Sequence, residues 1–190
     1  MQAERAQLGG DIAASPGTTI FDGDHLTTSS DGALRVRAGL ALVYLGPESG
    51  ATLRQTPEGA QAFLSRGSVL VSTSRAAAMG ITADGAMLRP MADVPTIAQV
   101  RILGPKELYV VAQRGALEFT YNGESDVIPE GASYRVVLDP PANMPAAQPG
   151  SQDTKRSGRY RRGFLFLIFG VVGGVTIWLV HEAIESPDRP

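Results

Sequence analysis

The chain has 190 residues, with 17 basic and 19 acidic side chains, a net charge of −2 and 43% hydrophobic residues. That length suits one domain with a tail, and the charge gives no electrostatic case for nucleic acid as a partner. The sequence contains no cysteine, which excludes disulfides, thiolate metal sites, cysteine catalysis and a lipid anchor on cysteine.

Residues 1–16, "MQAERAQLGGDIAASP", read as a polar, flexible lead with no apolar core of the kind a signal peptide needs. From Thr18 to about Leu138 the pattern changes to short β runs. "ALRVRAG" and "LALVYLG" stand back to back across a turn at Ala38-Gly39. "GSVLVST", "VRILG", "ELYVVAQ", "ALEFTYNG" and "SYRVVL" repeat the habit, and Asp31-Gly32, Asp84-Gly85 and Asn122-Gly123 supply turn signals. "EGAQAFLSR" allows one helical turn at most. Strands at this spacing predict an all-β roll, barrel or sandwich.

"LSRGSVLVS" (64–72) and "AQRGALEFT" (112–120) each set an Arg-Gly turn before an alternating strand, and "DGALRVR" echoes "DGAMLRP". Duplication and simple reuse of glycine-led turns both account for this.

Residues 139–162 form a proline-rich linker, "DPPANMPAAQPGSQDTKRSG", whose prolines favour extended backbone, ending in a basic collar of Lys155, Arg156, Arg159, Arg161 and Arg162. Gly163 to Val180 carries no charge and, as a helix, would span roughly 27 Å, close to the hydrocarbon thickness of a bilayer. A transmembrane α-helix is therefore predicted over 163–181, with Trp178 at one interface and an acidic tail over 182–190. Gly170 and Gly174 form a small-xxx-small pair suited to helix–helix contact, which makes a homo-oligomer one alternative. Lysines and arginines collect on the amino-terminal side of the span, so the charge rule puts the β domain in the cytoplasm.

Chemistry is sparse. Asp22, Asp24 and His25 sit together in "FDGDHLTT", but a calcium loop would need an acid where Ala33 stands, and the other histidine is His181. The expected role is a turn whose carboxylates bond local amides. No nucleophile elbow or phosphate loop is present. The reading is a non-enzyme with no catalytic, cofactor-binding or metal residues and no cofactor.

The β segment resembles the FecR domain family of bacterial cell-envelope regulators. The resemblance rests on "GTTIFDGDHLTTSSDGALRVRAGLALVYLGPESGATL", then "AFLSRGSVLVST", and later "VVAQRGALEF…VIPEGASYRV". Within these stand Gly23-Asp24-His25-Leu26-Thr27-Thr28, the proline-led turn Gly46-Pro47-Glu48-Ser49 and the strand Leu64 to Leu70, and coverage is roughly 17–138. The resemblance implies a FecR-like β-roll or sandwich of many short strands. Familiar members carry the membrane span before this domain, whereas here the apolar run follows it, as in short FecR-domain proteins that end in a single anchor. The function expected is a single-pass inner-membrane β module for protein–protein interaction or envelope signalling. Its partners would be the lipid bilayer and an unidentified protein. The alternatives are a self-assembling envelope protein and an envelope-polymer hydrolase. Because familiar members expose this domain beyond the membrane, the resemblance implies a periplasmic placement, against the cytoplasmic one that charge favours.

Overall fold

The computed structural model of the chain describes residues 2–9, 12–57, 59–76, 79–140, 159–160 and 163–168. The chain begins with β1 (Gln2–Leu8), β2 (Ile12–Ala13), the long β3 (His25–Ala38) and β4 (Ala41–Leu45). It continues through β5 (Gly50–Thr56), β6 (Gly59–Arg66), β7 (Ser68–Thr73), β8 (Met79–Ala83) and β9 (Ala86–Pro90). Then come β10 (Thr96–Gly104), β11 (Glu107–Arg114), β12 (Leu117–Tyr121), β13 (Glu124–Ile128) and β14 (Ser133–Leu138), and last β15 (Arg159–Tyr160) and β16 (Phe164–Ile168). No α-helix occurs among the described residues. The all-β expectation is met.

All strands belong to one sheet, ordered β13-β12-β9-β8-β6-β5-β3-β4-β7-β10-β11-β14-β16-β15, with β1 and β2 attached beside β3. The described pairings are antiparallel except β6 with β8. The sheet curls until its two ends meet: Phe119 of β12 lies 4.9 Å from Phe164 and 5.2 Å from Phe166 of β16, ring edge to ring face. Alternation selects the inner face of each strand, as in β4, where Ala41, Val43 and Leu45 are fully buried and Leu42 and Tyr44 are not.

Turn chemistry explains the hairpins. Asp84-Gly85 and Asn122-Gly123 both have positive φ at each residue and join Ala83 to Ala86 and Tyr121 to Glu124, the mirror-image turn that matches strand twist. Asp31-Gly32 makes no turn; it lies inside β3, where the strand changes partner from β5 to β4.

The two Arg-Gly phrases are corners where the chain leaves one part of the sheet for another. Strand β6 pairs with β5 and β8 but β7 pairs with β4 and β10; likewise β11 pairs with β10 and β14 but β12 with β9 and β13. Gly67 and Gly115 both have φ +73°, and a Cβ there would stand 2.4 Å from Ser49 Oγ and 2.6 Å from Thr96 Oγ1 respectively. Only glycine fits either corner. Both hydroxyls also lie near the carbonyl two residues back, Pro47 O at 3.1 Å and Val94 O at 3.0 Å, so the echo read in sequence is a repeated piece of geometry.

The strands extend beyond 17–138 on both sides. The lead is not wholly flexible: β1 pairs with β3, and Ala6 and Leu8, two residues apart, enter the core. Within "EGAQAFLSR", Gly59–Arg66 is strand β6 rather than a helical turn. Within the predicted linker, Arg159–Tyr160 is β15, paired with β16.

The largest correction concerns the apolar run. Phe164–Ile168 is a strand paired with all of β14 but its first residue, and Phe164 and Phe166 are buried against Phe119 and Tyr134. A run apolar on every side satisfies a buried strand as well as a helix, and alternating bulky residues favour the strand once a partner edge is free. The predicted helix therefore does not begin at residue 163. The rest of it, 169–181, lies outside the described residues. No helix among the described residues is long and apolar enough to cross a membrane.

Candidate interaction site and ion-pair network

Asp22, Asp24 and His25 do not converge on a metal. Asp24 Oδ2 accepts from Phe21 N at 2.8 Å, the local turn expected, while Asp22 Oδ1 accepts from Gln55 N and so pins this turn to β5. His25 Nδ1 sits 3.2 Å from Thr52 Oγ1. Among the described residues no group of three histidine, aspartate or glutamate side chains could hold an ion. Of the residues assigned to membrane topology, Arg159 lies opposite Phe166 in β15. Lys155, Arg156, Arg161, Arg162, Trp178, Gly170 and Gly174 lie outside the described residues.

The residues that carried the family resemblance build a corner. Thr28 Oγ1 donates to Gly46 O at 2.6 Å and accepts from Ser49 N at 2.9 Å. Ser49 Oγ accepts from Ser68 N at 2.8 Å. All three side chains are buried, so each bond replaces water that the site excludes. Their role is architectural.

Sequence reasoning missed a network at the seam of the curled sheet. Lys106 Nζ donates to Tyr121 Oη at 2.8 Å and lies 3.1 Å from Asp139 Oδ2, and Tyr121 Oη donates to the same oxygen at 2.6 Å. Asn122 Nδ2 adds a bond to Asp139 Oδ1 at 3.3 Å. The hydrogen bond from Tyr121 and the Lys106 charge hold the Asp139 carboxyl below its ordinary range, and bonding to Tyr121 and Asp139 raises Lys106. Beside it, Asp139 N donates to Gly163 O and Gly163 N to Glu124 Oε2, tying the start of β16 to both sheet ends. Three residues separated by 15 and 18 positions leave no local signal. Lys106 and Asp139 are half exposed, so the network latches the roll and lacks the desolvated acid–base pair that proton transfer would use.

A different end of the roll is apolar and open. The pairings Ala41–Thr73 and Thr73–Thr96 align the loops preceding β4 and β10 and following β7. There Leu40 is 62% exposed, Met91 54% and Val94 44%. Asp93 Oδ1 accepts from Ala76 N at 3.1 Å, linking the last two of these loops. Beside them lies a groove of about 390 Å³, lined by Gln61, Ala76, Met79, Gly80, Arg89 and Pro90 among others. Gly80 is among the lining residues, and a Cβ there would stand 3.1 to 3.3 Å from the Gln61 amide. Exposed apolar side chains around a shallow groove suit a protein surface.

No protein-family profile and no curated protein matches the sequence. Among solved structures, a candidate anti-sigma factor from Parabacteroides distasonis aligns with a TM-score of 0.51 at 10% identity over 60% of this chain and 54% of its own. Another crystal structure under the same description aligns with a TM-score of 0.48 at 12% identity. The chain thus spans about half the length of the structure it matches. At that identity the likeness establishes the fold.

Proposed function

We propose that the chain is a non-enzymatic, FecR-like β module that acts by binding a protein partner, in a regulatory or signalling role. The observation that carries this reading is the exposure of Leu40, Met91 and Val94 together at one end of the roll, around the Gln61–Arg89 groove. A fold shared with a candidate anti-sigma factor supports a regulatory role of that class. The order of the family motifs, from Gly23-Asp24 to the Pro129-Glu130-Gly131 turn, supports the FecR-like assignment.

The test is partner capture by the full chain carrying a photo-crosslinker in place of Leu40. The expected result is one captured protein band, lost when Met91→Asp and Val94→Asp are combined while the far-ultraviolet β signal is unchanged. Capture that survives both substitutions would place binding elsewhere and sink the assignment of this end.

A further inference from the structure

We propose that the apolar end of the roll receives an acidic segment of its protein partner, which sets an apolar side chain into the groove and carboxylates against three arginines around it. The proposal rests on the protein-binding reading of that end and adds the chemistry of the partner. The pairings Ala38–Ala41, Ala41–Thr73 and Thr73–Thr96 draw one line across the ends of β3, β4, β7 and β10. Within two residues of that line stand three arginines. Arg37 precedes Ala38 in β3. Arg75 follows β7, its backbone held by Thr73 Oγ1, which donates to Arg75 O at 2.7 Å. Arg114 of β11 lies opposite Ile97, the neighbour of Thr96. All three are exposed, as are Leu40, Met91 and Val94 at the same end. None of the three forms an ion pair among the described residues.

Few carboxylates of the chain answer these charges. Asp93, in the loop before β10, spends Oδ1 on Ala76 N. Farther out, Glu118 stands directly opposite Arg89, and Glu130 makes no ion pair with Arg114. The exposed apolar loops are therefore ringed by guanidinium groups that nothing among the described residues neutralises, in a chain whose net charge is −2. An apolar centre with a charged rim is the ordinary layout of a protein interface, and a positive rim selects a negative partner. Shape and charge together choose the occupant. The groove of about 390 Å³ has apolar walls from Ala60, Met79 and Pro90 and room for one bulky side chain. A bilayer surface is flat and has nothing to fill that hollow. A second copy docked about a two-fold axis would bring the same three arginines against themselves. An acidic segment with an apolar anchor satisfies both the groove and its rim.

The probe is a phage-displayed library of random peptides, selected on the full chain carrying a photo-crosslinker in place of Leu40. The expected result is a set of crosslinked sequences with net negative charge and a bulky apolar residue among the carboxylates. Arg37→Glu, Arg75→Glu and Arg114→Glu together should weaken their binding about tenfold, as three exposed ion pairs of ordinary strength imply. The loss should shrink at high salt, where surface charges are screened. Lysine at the same three positions keeps the charge and should restore binding, with the far-ultraviolet β signal unchanged in both variants. Crosslinked peptides that are neutral or basic would overturn the proposal and leave the protein-binding reading standing. A library from which nothing crosslinks at Leu40 would overturn both. Flotation with phosphatidylglycerol vesicles that the triple glutamate variant abolishes would assign the arginines to an anionic membrane. Self-association in sedimentation that Met91→Asp removes would assign the end to a second copy. Either of these results also overturns the proposal.

Discussion

Replacing Gly67 by alanine should be among the most damaging single-methyl changes available to this chain. The added carbon would stand 2.4 Å from Ser49 Oγ, 2.6 Å from Ser49 Cα and 2.7 Å from Glu48 O, two of them backbone atoms that cannot swing away. The φ of +73° adds the cost of left-handed backbone, about 1–2 kcal/mol for an L-residue. Overlap with a packed neighbour adds about 1–3 kcal/mol, for a total of about 2–5 kcal/mol. Gly123→Ala is the matched control, with φ +77° and nothing within 4 Å, and should cost only the backbone part, about 1–2 kcal/mol. Urea unfolding of the full chain, followed by far-ultraviolet circular dichroism, separates the two. At a slope of about 2 kcal/mol/M, Gly67→Ala should lower the midpoint by about 1–2.5 M. At the twin corner the closest obstacle is the Thr96 hydroxyl at 2.6 Å, with the next atom at 3.3 Å, so Thr96→Ala should partly rescue Gly115→Ala. Ser49→Ala should not rescue Gly67→Ala, because the backbone obstacles stay. If Gly67→Ala falls no further than Gly123→Ala, the corner is looser than argued and the steric reasoning fails.

Phe119→Ala should cost about 3–5 kcal/mol, since the ring is fully buried between Phe164 and Phe166, and thermal unfolding would read it. Phe164→Ala should cost a similar amount, which would confirm that β16 belongs to the core; an unchanged melting temperature would remove it. The lowered Asp139 contributes stability that is complete above its unfolded value of 3.8 and is lost as pH falls through its lower folded value. The raised Lys106 contributes stability that is complete below 10.5 and is lost as pH rises through its higher folded value. Asp139→Asn should flatten the acid limb of the urea midpoint against pH and weaken the alkaline limb as well.

What could be read from the sequence was whatever two to eight neighbouring residues decide. Alternation in "ALVYL" and "SYRVVL", and the mirror turns at Asp84-Gly85 and Asn122-Gly123, are local properties and stand in the structure as expected. Asp24 capping its own turn was equally local. Asp31-Gly32 failed because the long β3 strand, held by three partners, overrides a turn preference. Strand β16 failed because hydropathy cannot tell a buried strand from a helix without knowing that β14 offers a free edge. The Lys106–Tyr121–Asp139 latch and the apolar end at Leu40, Met91 and Val94 depend on which loops the curl brings together, and no spacing in the chain encodes that.

The two glycine corners have a consequence for how the chain acquires its shape. Each sends the polypeptide from one arm of the curled sheet to the other, so β5, β6, β8, β9, β12 and β13 fill one arm while β4, β7, β10, β11, β14 and β16 fill the other. The arms are shuffled together along the sequence like two halves of a deck, and neither arm is built from consecutive strands alone. A nascent chain can therefore make hairpins as it emerges, but it cannot close the seam until Phe164 has cleared the ribosome exit. Folding should be slow, late and all-or-none, as expected where pairings are mostly distant in sequence. A cut anywhere between β5 and β14 should leave no fragment able to stand alone.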